Sequence, residues 1–207
     1  MLLVWIPMPR DATPTRERLL RAGEQRFARD GVAGARLRDI VRDAGQANDS
    51  AVGYHFGSRD GLVGAIAARH VAAMDARRQA PSPDLSTLMR QLIEPTAELL
   101  ATPDGRDFLR IIEQLAGWAG LEQGELTEVL SGSVLAAQLA ALEDLVAAQI
   151  PRALARHRVA EFVLFLTASL AQRARAVEGG RRLPMAQRRY VDDLVAMTTA
   201  ALLAPTA

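Results

Sequence analysis

The stretch LRDIVRDAGQANDSAVGYHFGSRDGL, residues Leu37 to Leu62, decides the fold because it holds two short helical patterns on either side of a glycine. The apolar residues of the first pattern recur at helical spacing on one face, at Leu37, Ile40, Val41 and Ala44. Gly45 is expected to end this helix, since glycine adopts positive φ without a Cβ penalty. The second pattern runs from Ala51 to Phe56. Two short helices across a tight turn predict a helix-turn-helix whose second helix enters a DNA major groove.

An amphipathic helix and an aromatic segment bracket this motif. RERLLRAGEQRFARDG, from Arg16 to Gly31, precedes it, and YHFGSRDGL, starting at Tyr54, closes it. With these residues, roughly 13 to 75, the chain resembles the TetR family of transcriptional regulators. Two features depart from the common family pattern. The turn from Gly45 to Asp49 is one residue longer, and Arg36 stands where a Ser or Thr usually caps the first helix of the motif.

Composition predicts an all-α protein. The chain has 207 residues, of which 49% are apolar and only 4% aromatic, and its richness in alanine and leucine favours helices over sheets. Cysteine is absent, which excludes disulfides, thiolate zinc sites and cysteine nucleophiles. His70 and His157 are each expected to have a structural role rather than to bind a metal. No metal and no cofactor are therefore expected.

Breaker residues predict about nine helices in total. Three of them belong to the motif and its leading helix, and Pro95 is expected to kink the fifth. The later helices are predicted at Ser58 to Gln79, Asp84 to Ala101, Pro103 to Trp118, after the glycine-rich 117–124 stretch up to Pro151, Pro151 to Val177, and Pro184 to Leu203.

The domain organisation follows from the motif and from the resemblance. We expect a disordered or short tail at 1–12, a DNA-binding domain at 13–60 with its helix-turn-helix at about 36–56, and a helical effector-binding and dimerisation domain at 61–207. The apolar start lacks the marks of a signal peptide, and either it is a tail or Met8 is the true start. No apolar run approaches the roughly 20 residues that span a bilayer, which favours a cytoplasmic protein.

The charge distribution supports DNA binding at the motif end of the chain. Residues 1–70 contain 11 arginines against 8 acidic residues, a net charge of +3, whereas 71–207 contain 14 against 16, a net charge of −2. The predicted DNA-contacting residues are Arg36, Arg38, Asn48, Asp49, Ser50, Gly53, Tyr54, His55 and Arg59.

Each predicted DNA contact has a chemical reason and an alternative. The amide of Asn48 and the hydroxyl of Ser50 can pair with base edges, while Asp49 or Ser50 could equally serve as the helix cap. Short side chains such as Gly53 allow the backbone to approach the bases. The resemblance favours a phosphate contact for Tyr54, and His55 is as well explained by a structural role. The arginines are phosphate ligands or solvated surface residues.

The last two helices carry apolar stripes that, in this family, pair with their copies in a four-helix dimer interface. The stripe residues are Leu154, Phe162, Val163, Leu166 and Leu170, followed by Val191, Leu194 and Val195. The alternative is a core within one chain, but the stripes are wider than one neighbour would cover.

The resemblance also implies a cavity for a small-molecule effector. Its predicted lining is Met74, Met89, Leu92, Phe108, Ile112, Gln114, Leu115, Trp118 and Phe165, and for most of these the alternative is plain core. Gln114 and Trp118 lie four residues apart, which puts an amide beside a large apolar surface.

The resemblance therefore implies a homodimeric repressor that binds a palindromic operator in double-stranded DNA and is released by a small-molecule ligand. The fourth helix would couple the two events. The alternatives are an activator of the same family and a helical dimeric interaction protein without DNA binding. No enzyme is expected, because no nucleotide-binding, hydrolase or helical metal motif occurs in the sequence.

Overall fold

The computed structural model describes residues 13–48, 50–116 and 130–205, and all regular structure in these ranges is helical. This confirms the all-α prediction of about nine helices. The helices are α1 (Thr13–Asp30), α2 (Leu37–Asp43), α3 (Ala51–Phe56), α4 (Arg59–Asp75), α5 (Leu85–Glu98), α6 (Pro103–Ala116), α7 (Val134–Ala147), α8 (Arg152–Glu178) and α9 (Gln187–Leu202), with a 3₁₀ turn (Leu99–Ala101) after α5.

The turn between α2 and α3 forms as the sequence predicts. Gly45 has φ +67° and follows the last residues of α2. Its amide donates to the carbonyl of Arg42 at 2.9 Å, and the amide of Gln46 donates to the carbonyl of Val41 at 3.0 Å. This pair of bonds is the Schellman motif, which satisfies carbonyls at the end of a helix and needs a left-handed residue at the position of Gly45.

Two apolar cores share α6 between them. The first joins α1 to α4 around fully buried side chains such as Phe27, Ile40 and Ile66, and Phe108 and Ile111 of α6 belong to it. The second joins α5, α7, α8 and α9, and Leu109 of α6 belongs to that one. Helix α6 therefore presents one face to the helix-turn-helix end and the other to the C-terminal helices.

Three helices depart from the predicted bounds, and a local cap explains the start of one of them, α7. Helix α7 begins at Val134, later than the glycine-rich stretch suggests, because the hydroxyl of Ser133 accepts the amide of Ala136 at 3.0 Å. Helix α4 ends at Asp75 rather than Gln79, and α9 begins at Gln187 rather than Pro184. Pro95 lies inside α5, which continues to Glu98. The predicted end of α6 at Trp118 lies outside the described residues.

None of the helices in the described ranges combines the length and the apolar content that crossing a membrane requires.

Candidate nucleic-acid interface and ligand cavity

Helix α3 has one buried and one exposed face. Ala51 and Val52 are buried in the first core, whereas the exposed positions lie at helical spacing, at Ser50, Gly53, Tyr54 and Gly57. Tyr54 is 82% exposed. The accessible face of this helix therefore carries one large side chain among residues with little or no side chain.

Gly53 is not required by the packing of the chain. A Cβ atom built at this position would meet no atom within 4 Å, so the chain itself leaves room for a larger residue. Asn48 holds the start of α3, because its Oδ1 accepts the amide of Ser50 at 2.9 Å. The side chain of Ser50 makes no capping hydrogen bond. Asn48, rather than Ser50, therefore supplies the side-chain bond at the start of α3. The predicted contact Asp49 lies outside the described residues.

The ring of His55 packs edge-on against Tyr54, with 4.9 Å between centroids. His55 and Phe56 are half-buried, and Phe56 packs on the first core with the guanidinium of Arg16 above its ring at 5.1 Å. The contact between Arg16 and Phe56 joins the end of α3 to α1.

The predicted phosphate-binding arginines differ in their surroundings. Arg36 and Arg38 are exposed at the start of α2, and neither forms an ion pair with a described side chain. Arg42 is paired with Asp39 at 2.9 Å. The Nη1 of Arg59 donates to the carbonyl of Val32 at 2.5 Å. Part of its guanidinium is therefore already hydrogen-bonded to the loop between α1 and α2.

The helix-turn-helix is fixed to the rest of the molecule by polar contacts that sequence reasoning missed. Glu24 of α1 is 3% exposed and bonds to the Nη2 of Arg69 and the Nε2 of His70 on α4. His70 in turn stacks on Phe108 of α6 at 4.0 Å between ring centroids. One signal was available in the sequence, because Glu24 interrupts the apolar face of α1 between Leu20 and Phe27.

A second polar contact ties α6 to the loop that precedes α2. The Oε1 of Gln114 accepts the amide of Val32 at 2.9 Å, and its Nε2 donates to the carbonyl of Arg110 at 2.9 Å. Gln114 therefore serves a structural contact in this structure and is not among the residues that line the cavity.

A cavity of about 350 Å³ lies among α4, α5, α6, α7 and α8. Five of the predicted lining residues line it, namely Met74, Leu92, Phe108, Ile112 and Leu115. Met89 is fully buried in the second core instead, and Phe165 is 45% exposed on another face of α8. Trp118 lies outside the described residues.

The sequence did not identify most of the lining. These further residues are Val32, Asp60, Val63, Gly64, Ala67, Val71, Thr96, Ala116, Leu130, Leu135, Leu139, Phe162, Val163, Leu166 and Thr167. Three of them, Phe162, Val163 and Leu166, are residues predicted for a dimer interface.

The apolar stripes of α8 and α9 are largely buried within the single chain. Those of the stripe residues that are at most 6% exposed are Phe162, Leu166, Leu170, Leu194 and Val195. Leu154, Val163 and Val191 are partly buried. The reason is that α8 packs against α6, α7 and α9 of its own chain. A side chain that is already covered has little surface left to bury against a second copy.

The apolar residues that α8 and α9 leave exposed lie elsewhere. Phe165 and Met197 are 45% and 47% exposed, and together with Ala201 they line one groove. Ala168, Ala196 and Ala200 are also exposed on these helices.

An ion pair joins α6 to α8, between Arg110 and Glu178. Asp107 accepts a hydrogen bond from Arg110, whose Nη1 lies 2.6 Å from the Oε2 of Glu178. Burial raises the pKa of the Asp107 carboxyl, and the bond from Arg110 opposes that rise. No cluster of three or more metal-ligating side chains occurs in the part of the chain that the structure describes.

Solved structures with this architecture cover nearly the whole chain. A TetR-like transcriptional regulator from Rhodococcus sp. RHA1 has a TM-score of 0.54 and 17% identity, covering 96% of this chain and 100% of its own. The fatty acid degradation regulator FadR from Bacillus halodurans has a TM-score of 0.57 and 16% identity, covering 91% and 95%. A transcription regulator from Shewanella sp. PV-4, assigned to the tetR family, has a TM-score of 0.53 and 16% identity, covering 89% and 95%.

No protein-family model and no curated protein sequence matches the chain. The likeness is therefore one of fold, carried by helix order and packing at low sequence identity. In architecture, the chain has the all-α fold of the TetR-family transcriptional regulators.

Proposed function

We propose that the chain is a sequence-specific DNA-binding transcriptional regulator that places α3 in the major groove. The observation that carries the proposal is the exposed face of α3, where Tyr54 stands 82% exposed beside Ser50 and Gly53. Packing does not require glycine at position 53, whereas a close approach of the helix backbone to base edges does.

Roles for the surrounding residues follow from their chemistry. The hydroxyl of Ser50 and the side-chain amide of Asn48 would read base edges, and the hydroxyl of Tyr54 would donate to phosphate. Arg36 and Arg38 would bind phosphates, since no described carboxylate competes for them. We assign these contacts to the segment 13–60.

Two copies of the chain would bind one palindromic site. We assign their pairing to the face of α8 and α9 that holds Phe165 and Met197, because exposed apolar surface is what association can still bury. A two-fold axis through this face would present two α3 helices to successive major grooves about 34 to 36 Å apart.

Release from DNA would pass through α4. This helix starts at Arg59 beside the helix-turn-helix, and it contributes Val63, Ala67 and Met74 to the cavity. A ligand in the cavity would shift α4, change the separation of the two α3 helices and lower the affinity for the operator. DNA would lower the affinity for the ligand by the same factor. The segment 61–207 would thus hold both effector binding and pairing.

The test begins with selection of DNA fragments from a random pool by the purified full-length chain. The enriched sequence should be two-fold symmetric, and binding should weaken steeply as salt rises. Tyr54→Ala should weaken this binding and leave the pairing intact, whereas Phe165→Glu should abolish pairing, seen as a halved mass in light scattering. Each variant serves as the control for the other, because both replace an exposed aromatic residue.

Two results would contradict the proposal. One is the absence of any enriched sequence, which would leave a helical interaction protein. The other is unchanged DNA binding by Tyr54→Ala. A reporter gene placed behind the selected site distinguishes the direction of regulation, and we expect repression rather than activation.

A further inference from the structure

Among the residues that the structure describes, the lining of the cavity among α4 to α8 offers hydrogen-bond acceptors but no charged donor. Its polar described residues are Asp60, Thr96 and Thr167, and every other described residue of the lining is apolar or glycine. No guanidinium or imidazole is thus available among the described lining residues to meet an anion.

The two threonines have already used their hydroxyl hydrogens. The Oγ1 of Thr96 donates to the carbonyl of Leu92 at 3.0 Å, and the Oγ1 of Thr167 donates to the carbonyl of Val163 at 2.9 Å. Each hydroxyl oxygen keeps acceptor capacity, although that of Thr96 also lies 3.5 Å from the Nη2 of Arg78. Thr167 therefore has the more accessible lone pair. Asp60 is exposed to solvent and gives no buried countercharge to a cation.

We propose that this cavity takes a small, uncharged, apolar ligand with one hydrogen-bond donor, such as a medium-chain alcohol or a phenol, and that the donor binds the Oγ1 of Thr167. This inference rests on the ligand-release part of the proposed function and names its ligand class. A carboxylate or phosphate would be buried without donors, which is costly. A volume of about 350 Å³ is near the lower end of known ligand sites, so the ligand is small.

The test measures binding to the purified full-length chain by calorimetry, without DNA. Four probes share an eight-carbon chain: 1-octanol, methyl octyl ether, octanoate and octyltrimethylammonium. We expect 1-octanol to bind at least about 100-fold more tightly than octanoate, because the carboxylate loses its hydration without gaining donors. It should bind roughly 3- to 10-fold more tightly than the ether, which has no donor.

A matched pair of variants identifies the acceptor. Thr167→Val should lower the affinity for 1-octanol about 3- to 10-fold and leave that for the ether unchanged. The control is Thr199→Val on α9, whose hydroxyl also donates to a carbonyl four residues earlier, at 2.7 Å, but which does not line the cavity. Equal thermal unfolding of the two variants would show that folding is not the cause.

Tighter binding of octanoate or octyltrimethylammonium than of 1-octanol would overturn the inference, as would no binding of any probe. Equal losses in the Thr167→Val and Thr199→Val variants would also overturn it. The proposed function is judged separately. If 1-octanol binds as expected but leaves the selected DNA bound, ligand release fails while the ligand class stands. If no probe binds while the DNA is bound, the ligand class fails and DNA recognition stands.

Discussion

The Nη1 of Arg78 donates to the backbone carbonyl oxygen of Gln91 at 2.7 Å. That carbonyl lies four residues before Pro95, which has no amide hydrogen to offer it. Arg78, which lies just beyond the end of α4, thus supplies to this carbonyl the hydrogen bond that Pro95 cannot donate. The proline is tolerated inside α5 because the freed carbonyl has a charged donor.

Arg78 also reaches a third helix. Its Nη1 donates to the Oε1 of Gln138 on α7 at 2.8 Å, and its side chain has no exposed surface. Burial lowers the pKa of the Arg78 guanidinium, but an arginine in a protein remains charged. The position of Arg78 therefore links the end of α4 to α5 and α7.

Replacing Arg78 should destabilise the fold. Arg78→Met leaves the carbonyl of Gln91 and the buried side chain of Gln138 without their donor, and we expect a loss of about 2 to 4 kcal/mol in the free energy of unfolding. The measurement is urea denaturation followed by circular dichroism. The control is Arg77→Met, because Arg77 is 64% exposed and its ion pair with Glu98 is worth at most about 1 kcal/mol. Equal losses would show that the buried bonds contribute nothing.

The Pro95 contact gives a second prediction. In the double variant Arg78→Met with Pro95→Ala, the new amide at position 95 can donate to the carbonyl of Gln91. We expect it to recover about 1 kcal/mol relative to Arg78→Met alone. The single variant Pro95→Ala completes the cycle, since it measures the effect of the proline while Arg78 is present. If the changes in unfolding free energy of the two single variants simply add in the double variant, the amide at position 95 does not replace Arg78 as the donor to Gln91.

These contacts indicate which parts of the structure could be predicted from the sequence. Gly45 was predicted to end α2 and Ser58 to start α4, and both do so, because a cap depends on a few neighbouring residues. The bond of Arg78 to Gln91 joins a residue beyond the end of α4 to a residue of α5, 13 positions apart, and no local pattern indicates it. The same holds for Glu24 and His70, which are 46 positions apart.

The α8 face was harder to predict for another reason. Apolar residues lie nearly all round this helix of 27 residues, so periodicity cannot tell a cavity from a core or a pairing surface. Phe162, Val163 and Leu166 were expected at an interface and line the cavity, and Phe165 was expected in the cavity and is exposed. Only the packing of α6, α7 and α9 around α8 distinguishes these positions.

Gln114 should stabilise the loop before α2. Gln114→Leu removes the side-chain oxygen that accepts the amide of Val32, a residue 1% exposed. We expect a loss of about 1 to 3 kcal/mol in the free energy of unfolding and faster hydrogen exchange at the Val32 amide. Gln149→Leu is the control, because Gln149 is exposed. Unchanged exchange at Val32 would show that the bond does not protect the loop.

Arg38 should contribute a phosphate contact. Arg38→Ala should weaken binding to the selected operator similarly for all sequence variants of that site, since phosphates are common to them. The slope of log affinity against log salt concentration should fall by about 1. Arg189→Ala on α9 removes an exposed arginine far along the chain from the motif and should leave the slope unchanged. A change confined to one base pair would instead make Arg38 a base-reading residue.

Asp107 should make the stability depend on pH. Because burial raises the pKa of the Asp107 carboxyl above 3.8, the folded state holds this proton more tightly than the unfolded state does. The stability that comes from this tighter proton binding is fully present below pH 3.8, and it is lost as the pH rises through the raised pKa of Asp107. Above the raised pKa, the buried carboxylate lowers the free energy of unfolding by a constant amount. The charge of Arg110 reduces this loss, whereas the charges of Glu178 and Glu24 increase it.

The variant Asp107→Asn lacks this titration, so its unfolding free energy should fall less than that of the wild-type chain as the pH rises from 3.8 towards neutrality. Urea denaturation at a series of pH values measures the difference. The comparison is Asp104→Asn, which removes an exposed carboxylate from the same helix. If both variants change the pH dependence equally, the burial of Asp107 is not its cause. If the Asp107→Asn curve is steeper than that of the wild type, the pKa is lowered rather than raised, and the Arg110 bond outweighs the burial.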